Sequence, residues 1–206
     1  MSDDIQTLGT LNNMWLVEPD WSGEIQSNFI PSYDLIQCAG SVGALWVNNY
    51  DAPRRIQYQY RNATKAEEKA LLDFFEARLG RHGCFWMPTW MTDFVVINDI
   101  AASDTVINVK NNAFSSVCKG YERIAFILTS GDIIVRKISA ATFISADQEN
   151  ITLTTSVDRI IATTDIALCC LFLLVRFEKD NLQFSYTTDS VSDVEFNVYE
   201  LIREYP

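Results

Sequence analysis

The fold is decided by residues 64–90, whose sequence reads TKAEEKALLDFFEARLGRHGCFWMPTW. Apolar side chains recur here at three- and four-residue spacing, at Leu71, Leu72, Phe75 and Leu79, while charged residues fill most of the other positions. This period is typical of an amphipathic α-helix that packs one face on a protein core. The stretch therefore predicts one helix, with its apolar side held against the rest of the molecule.

Both ends of the predicted helix carry a sequence signal. Thr64 and Glu67 have the spacing of a capping box, in which each side chain satisfies a free backbone amide of the first turn. Gly80 is predicted to end the helix, because glycine readily adopts the left-handed conformation of a helix stop. The apolar residues 84–87 then predict a short strand that Pro88 stops, since proline cannot donate to a central ladder.

The rest of the chain carries mainly strand patterns. The sequence RIQYQYR alternates apolar and polar residues, which is typical of a strand with one covered face. Further strands are predicted from apolar runs separated by turn residues. The predicted strands lie at 55–61, 123–129, 133–139, 151–155, 166–175 and 194–202, with turns at 130–132 and 146–150. The prediction is a mainly β protein with one principal α-helix, that is, an α+β fold.

Three segments make up the predicted domain organisation. Residues 1–92 form the first part of a domain that includes the helix, and residues 166–206 supply its closing strands. Residues 93–165 lack a convincing helical pattern and contain several strand patterns, so they are interpreted as an inserted small β-domain.

Composition excludes several classes of partner. The chain has 206 residues, of which 48% are hydrophobic, and a net charge of -11 from 27 acidic and 16 basic residues. An acidic chain of this kind disfavours stable, sequence-independent binding to nucleic acid and attraction to anionic membranes. The start of the chain resembles no secretory signal, and the longest apolar run, 166–175, is shorter than the roughly 18 residues of a spanning helix. Synthesis in a cytoplasm and no membrane partner are expected.

No catalytic, metal or cofactor site is predicted. His82 is the single histidine, and Cys84 is the nearest nucleophile to it, but residues i and i+2 share a face only in a strand and Gly83 lies between them. The five cysteines have irregular spacing without a Cys-x-x-Cys pair, so they are expected to be reduced. The signatures of nucleotide-binding proteins, serine hydrolases and zinc proteases do not occur.

Residues 54–61, RRIQYQYR, together with 64–90 resemble the distal tail protein family of long-tailed phages and gene transfer agents. In that family an arginine-rich strand leads into one helix that ends in a sequence similar to residues 74–81, and an aromatic strand follows. The segments VRFEKDNLQF at 175–184 and VYELIRE at 198–204 resemble the closing strands of the family. Lambdoid minor tail proteins, with the same order of strand, helix and strand, are similar too.

The resemblance implies a tail-tube-like β-sandwich flanked by one helix, with a small barrel-like β-domain inserted between residues 92 and 165. It implies a virion protein of the tail tip, in which a homo-hexameric ring joins the tail-tube protein to hub or baseplate proteins and offers a platform for fibres. Genomic DNA would pass through the ring in transit. Since a lining that repels phosphate lets DNA pass, acidic side chains are expected to exceed basic ones on the inner wall.

The residues expected to matter are packing or interface residues. Leu71, Phe75 and Leu79 are predicted to hold the helix to the sandwich. The full set is Leu71, Phe74, Phe75, Leu79, Phe85, Trp86 and Trp90.

Alternative functions remain open at this point. One is another tail-tip component, such as a tube or hub protein. A second is a carbohydrate-binding module for host recognition, in which exposed rings at Trp86 or Trp90 would hold the sugar. A third is a small hydrolase that uses Cys84 or His82.

Overall fold

The computed structural model describes residues 13–21, 25–29, 32–36, 44–49, 53–189 and 191–202. The start of the chain and Cys38 lie outside these ranges. Within them the protein is mainly β, with twelve strands and one α-helix, which confirms the predicted class. Among the same residues, no helix is both long and apolar enough to cross a lipid bilayer.

The strands and the helix are taken in chain order. They are β1 (Gln26–Phe29), β2 (Ser32–Ile36), β3 (Ala44–Asn49), β4 (Arg54–Thr64), α1 (Lys65–Ala77), β5 (Cys84–Pro88), β6 (Val106–Lys110), β7 (Arg123–Leu128), β8 (Ile133–Ser145), β9 (Gln148–Leu153), β10 (Ile166–Phe177), β11 (Gln183–Tyr186) and β12 (Val191–Glu200). One predicted turn is too long: Gln148 lies inside the predicted turn at 146–150 but already belongs to β9, because its backbone pairs with β6 and β8.

The chain divides into two compact units. An inserted unit contains Phe85–Leu173 and residues 13–18, and a flanking unit contains the described residues of Pro19–Cys84 and Leu174–Tyr205. The inserted unit begins earlier and ends later than the predicted domain at 93–165. The reason is strand pairing: β5 pairs with β10, and β10 pairs with β7 through its residues 166–172.

The flanking unit is built on an antiparallel sheet around β12. β4 pairs with one edge of β12 over nearly its whole length, and β1 pairs with the far edge of β4. The other edge of β12 is shared, because β11 pairs with its first half and the end of β10 pairs with its last residues. The helix α1 contacts β4 and β12. β2 and β3 form a separate hairpin.

The inserted unit is a series of antiparallel pairs. β7 pairs with β8 through residues 133–137 of β8, and the remainder of β8 pairs with β9. β6 completes the series beside β9. The turn between β7 and β8 contains Gly131, whose φ of 88° is a conformation that glycine adopts without steric cost. The sandwich and barrel forms of the two predicted domains stay predictions.

Both faces of β10 are covered. Residues 169–175 are all buried, which explains why this strand is a continuous apolar run and does not alternate. Cys169 and Cys170 point to opposite faces of the strand, yet both thiols are buried and free.

Candidate functional site

The helix α1 begins as the sequence predicts. The Glu67 backbone amide donates to Thr64 Oγ1 at 3.4 Å, and the Thr64 amide donates to Glu67 Oε2 at 2.7 Å. This reciprocal pair is the predicted capping box. Hydrogen bonding to the Thr64 backbone lowers the pKa of the Glu67 carboxyl.

Aromatic residues attach the helix to the flanking sheet. Leu71 is buried. Phe75 meets the Phe177 ring edge-on at a centroid distance of 4.9 Å, and Phe74 does so at 6.3 Å. Phe177 in turn meets Phe196 at 5.3 Å. Edge-to-face contacts of this kind stabilise aromatic clusters beyond their buried area.

The helix ends differently from the prediction. Its last residue is Ala77, Arg78 is the cap, and Leu79 already has the left-handed conformation, with φ 54°. Gly80 follows with φ 63°, so the turn uses two left-handed residues in succession. Leu79 is 75% exposed, and its predicted role in holding the helix is wrong, because the left-handed backbone directs its side chain away from the apolar face.

A tightly wound turn, residues 78–83, follows the helix. The Gly83 amide donates to the Arg78 carbonyl at 2.8 Å. The Arg81 amide donates to Asp180 Oδ1 at 3.0 Å, and its guanidinium lies 2.9 Å from Asp180 Oδ2. The turn is therefore fastened both to the end of the helix and to the segment that follows β10.

Gly83→Ala is expected to lower the free energy of unfolding by about 2 kcal/mol, measured by chemical denaturation. A Cβ atom at position 83 would lie 2.7 Å from the Arg78 carbonyl oxygen, so backbone must shift. Gly131→Ala is the matched control. A Cβ there meets open space, and only its φ of 88° opposes alanine, so about 1 kcal/mol is expected. Equal losses in the two variants would contradict the proposed crowding at Gly83.

A polar cluster joins the start of α1 to β11 and β12. Glu68 accepts hydrogen bonds from Tyr186 Oη at 2.7 Å, Lys65 Nζ at 2.9 Å and Ser192 Oγ at 3.3 Å. Lys65 Nζ also lies 4.1 Å from the centroid of the Tyr186 ring. We call these four residues the helix clamp. The Tyr186 hydroxyl and then Lys65 lower the pKa of Glu68, and the hydrogen bond to Glu68 raises the pKa of Lys65.

The helix clamp is expected to weaken in acid. The pKa of Glu68 is lower in the folded protein than in the unfolded chain. Its contribution to folding stability is therefore present above its unfolded pKa and is lost as the pH falls through the folded pKa. The contribution of Lys65 is lost only at alkaline pH, as the pH rises through its raised pKa. Tyr186→Phe should therefore lower the melting temperature at neutral pH and have a smaller effect once Glu68 is protonated. Thermal melts at both pH values check this, and an equal effect at both would contradict it.

The aromatic residues of β5 are core residues. Phe85 is 1% and Trp86 5% exposed. Trp86 stacks on Phe172 at 5.8 Å with an interplanar angle of 3°, and the Arg123 guanidinium carbon lies 4.9 Å from the Trp86 ring centroid. A stacked ring under a cation is a stabilised packing arrangement.

Trp90 is also buried, at 5% exposure. Its backbone is left-handed, with φ 57°, and its indole Nε1 is buried without a hydrogen-bond partner. With both Trp86 and Trp90 buried, a carbohydrate platform on these rings is ruled out. That version of the carbohydrate-binding hypothesis is wrong, because both rings contribute to the core.

His82 and Cys84 lie at the end of the turn and are both exposed. Within the described residues neither side chain has a hydrogen-bond partner, so the orienting contact that a Cys–His relay uses is absent there.

The two buried cysteines of β10 have raised pKa values. Burial, followed by the nearby Asp93 charge, raises the pKa of Cys170 to about 12. Burial likewise raises the pKa of Cys169, so both thiols stay protonated at neutral pH. The described residues contain no group of acidic, histidine and cysteine side chains able to hold a metal ion.

Sequence reasoning missed a groove of about 430 Å³ in the flanking unit. It is lined by the outer residues of β4, β11 and β12 and by the loop that joins β10 to β11. We call it the β11 groove. Its polar lining consists of Gln59, Arg61, Lys179, Asn181, Gln183, Ser185, Asp193, Glu195 and Asn197. The alternation of polar residues in β4 and β12 indicated a solvent-facing sheet surface, but β11 could not be placed beside it from sequence.

Comparison of the sequence with protein-family models and with curated proteins finds no significant match.

Proposed function

We propose that this protein is a structural subunit of a phage tail tip, and that it forms a ring, expected to be hexameric, between the tail tube and the hub or baseplate. One observation carries the proposal. The two separate segments that resemble distal tail proteins, 64–90 and 175–204, contact each other through specific pairs. Phe75 meets the Phe177 ring and Arg81 pairs with Asp180.

These pairs give the motif residues a structural role. Phe74 and Phe75 anchor the helix, while Arg81 and Gly83 fix the turn that follows it. Residues with such roles are needed to keep the shape of a subunit that repeats in an assembly. The exposed Leu79, presented by this turn, offers an apolar contact for a neighbouring subunit.

The finer features follow from the same proposal. The flanking unit is a tail-tube-like sandwich, and the inserted unit is a barrel-like domain that can contact hub or fibre proteins. The ring lets the genome pass during ejection, with more acidic than basic side chains on its inner wall. Another component of the same tip, a tube or hub protein, is the second candidate, since it would use the same β architecture.

Ring formation is the expected result for the purified chain. Light scattering after size-exclusion chromatography should give about six times the 23.4 kDa of the chain, and negative-stain images should show six-fold rings. Because a tail ring can require its neighbour to assemble, the decisive measurement is immunogold labelling of isolated tailed particles with an antibody against the chain. Labelled tips support the proposal. Particles without the protein would overturn it, and label along the tube would favour the tube alternative.

A further inference from the structure

We propose that the β11 groove binds a short, neutral oligosaccharide. This inference concerns a different surface from the buried tryptophans and does not depend on ring assembly. At about 430 Å³, the groove lies in the volume range of small-molecule sites.

Charge balance within the groove selects a neutral ligand. Arg61 and Lys179 contribute two positive charges to the lining, and Asp193 and Glu195 contribute two negative charges. The rest of the chain is acidic, with a net charge of -11. A phosphorylated or carboxylated ligand would gain little from this balanced lining and would be repelled by the surrounding charge.

One wall of the groove carries hydrogen-bonding groups that are already oriented. Glu195 accepts from Gln57 Nε2 and, at 3.3 Å, from Gln59 Nε2. The Gln59 side-chain Oε1 accepts from Arg61 Nη2 at 3.3 Å. These contacts fix the planes of the carboxylate and the amide. Because an ionised carboxylate has about four acceptor positions, Glu195 retains capacity for ligand hydroxyl groups.

The β11 side of the groove supplies further amides for a ligand, and Gln183 lies beside Glu195 in the register of β11 and β12. Asn181 and Gln183 are exposed, and among the described contacts their side chains have no hydrogen-bond partner. An amide offers two donors and a two-lone-pair acceptor, which matches a sugar hydroxyl that both donates and accepts. A fixed carboxylate beside a free amide is suited to adjacent hydroxyl groups on one ring.

The floor of the groove limits the expected affinity. Phe177 and Phe196 contribute to it but are only 1% and 5% exposed. Neither ring can therefore act as a stacking platform for a sugar, and recognition rests on hydrogen bonds that replace those to water. Since each such bond replaces one to water and gains little free energy, a dissociation constant in the millimolar range is expected.

Saturation-transfer difference NMR on the full chain tests the proposal, because it works for a monomer and for a ring. The probes are maltotriose and N,N′,N″-triacetylchitotriose, with glucose 6-phosphate as the charged comparator. At least one neutral probe should show saturation transfer at millimolar concentration, with a binding constant unchanged from low to high salt. The double variant Asn181→Ala/Gln183→Ala should weaken that binding by about tenfold or more. Asn98→Ala, at an exposed asparagine of the inserted unit, is the matched control and should bind normally.

Three results would overturn the proposal. They are no saturation transfer to either neutral probe, binding that the double variant leaves unchanged, and tighter binding of glucose 6-phosphate than of the neutral probes. Circular dichroism of the variants separates lost binding from lost folding. If the double variant unfolds, Lys179→Gln serves instead. This variant leaves the lining with a net negative charge. It should therefore still bind the neutral probe and should bind glucose 6-phosphate more weakly than the parent does. Any other pattern contradicts the charge argument.

Discussion

Phe177→Ala is expected to lower the free energy of unfolding by about 3–5 kcal/mol, the range for removing a fully buried phenylalanine. Phe177 is 1% exposed and touches Phe74, Phe75 and Phe196. Its ring is thus the common contact between α1 and the sheet. Removal leaves a cavity that three rigid rings cannot fill, so the cost includes both lost transfer energy and lost packing.

Phe143→Ala is the matched control for this substitution. Phe143 lies in β8 and is 59% exposed, so the same change of side chain should cost less than about 1 kcal/mol. Urea denaturation followed by circular dichroism measures both variants. The Phe177 variant should also lose helical signal at lower denaturant than the parent. A loss below about 1 kcal/mol would show that the helix is held mainly by other contacts, such as the helix clamp.

Local signals predicted the helix well. Thr64, Glu67 and the apolar spacing act within a few residues of one another, so their effect does not depend on the rest of the fold. The same holds for β4 and for the Gly131 turn. The prediction for Leu79 is wrong for the opposite reason. The helical period includes it, but Leu79 lies in a left-handed turn that Arg81 fastens to Asp180, about a hundred positions away along the chain.

Site residues were harder to predict than the elements that carry them. Trp86 could have been core, interface or ligand platform until Phe172 and Arg123 were placed around it. The helix clamp depends on Tyr186, and the sequence of its strand does not predict a contact with Glu68. The β11 groove needs the pairing of β11 with β12. Each feature depends on long-range strand pairing, and periodicity cannot specify which strands become neighbours.

Arg136→Ala is expected to destabilise the inserted unit by about 3–4 kcal/mol. Arg136 is 2% exposed in β8. Its guanidinium donates to the Ser156 carbonyl at 2.6 Å, the Val135 carbonyl at 2.8 Å and Asp158 Oδ2 at 2.8 Å. Alanine removes these three bonds, leaves a cavity and frees the loop that follows β9.

Two further substitutions separate charge from packing at this site. Asp158→Asn keeps an acceptor and tolerates the left-handed backbone at this position, φ 62°, but leaves the buried guanidinium without its counter-charge. Because the Asp158 side chain is 59% exposed, water screens the loss, and about 1–2 kcal/mol is expected. Arg159→Ala removes an exposed ion pair to Asp132 and should change stability by less than about 0.5 kcal/mol. If Asp158→Asn costs as much as Arg136→Ala, the charge pair itself holds the loop. We expect Asp158→Asn to cost less than Arg136→Ala. In that case the two carbonyl contacts and the packing of the buried arginine contribute more to stability than the charge pair does.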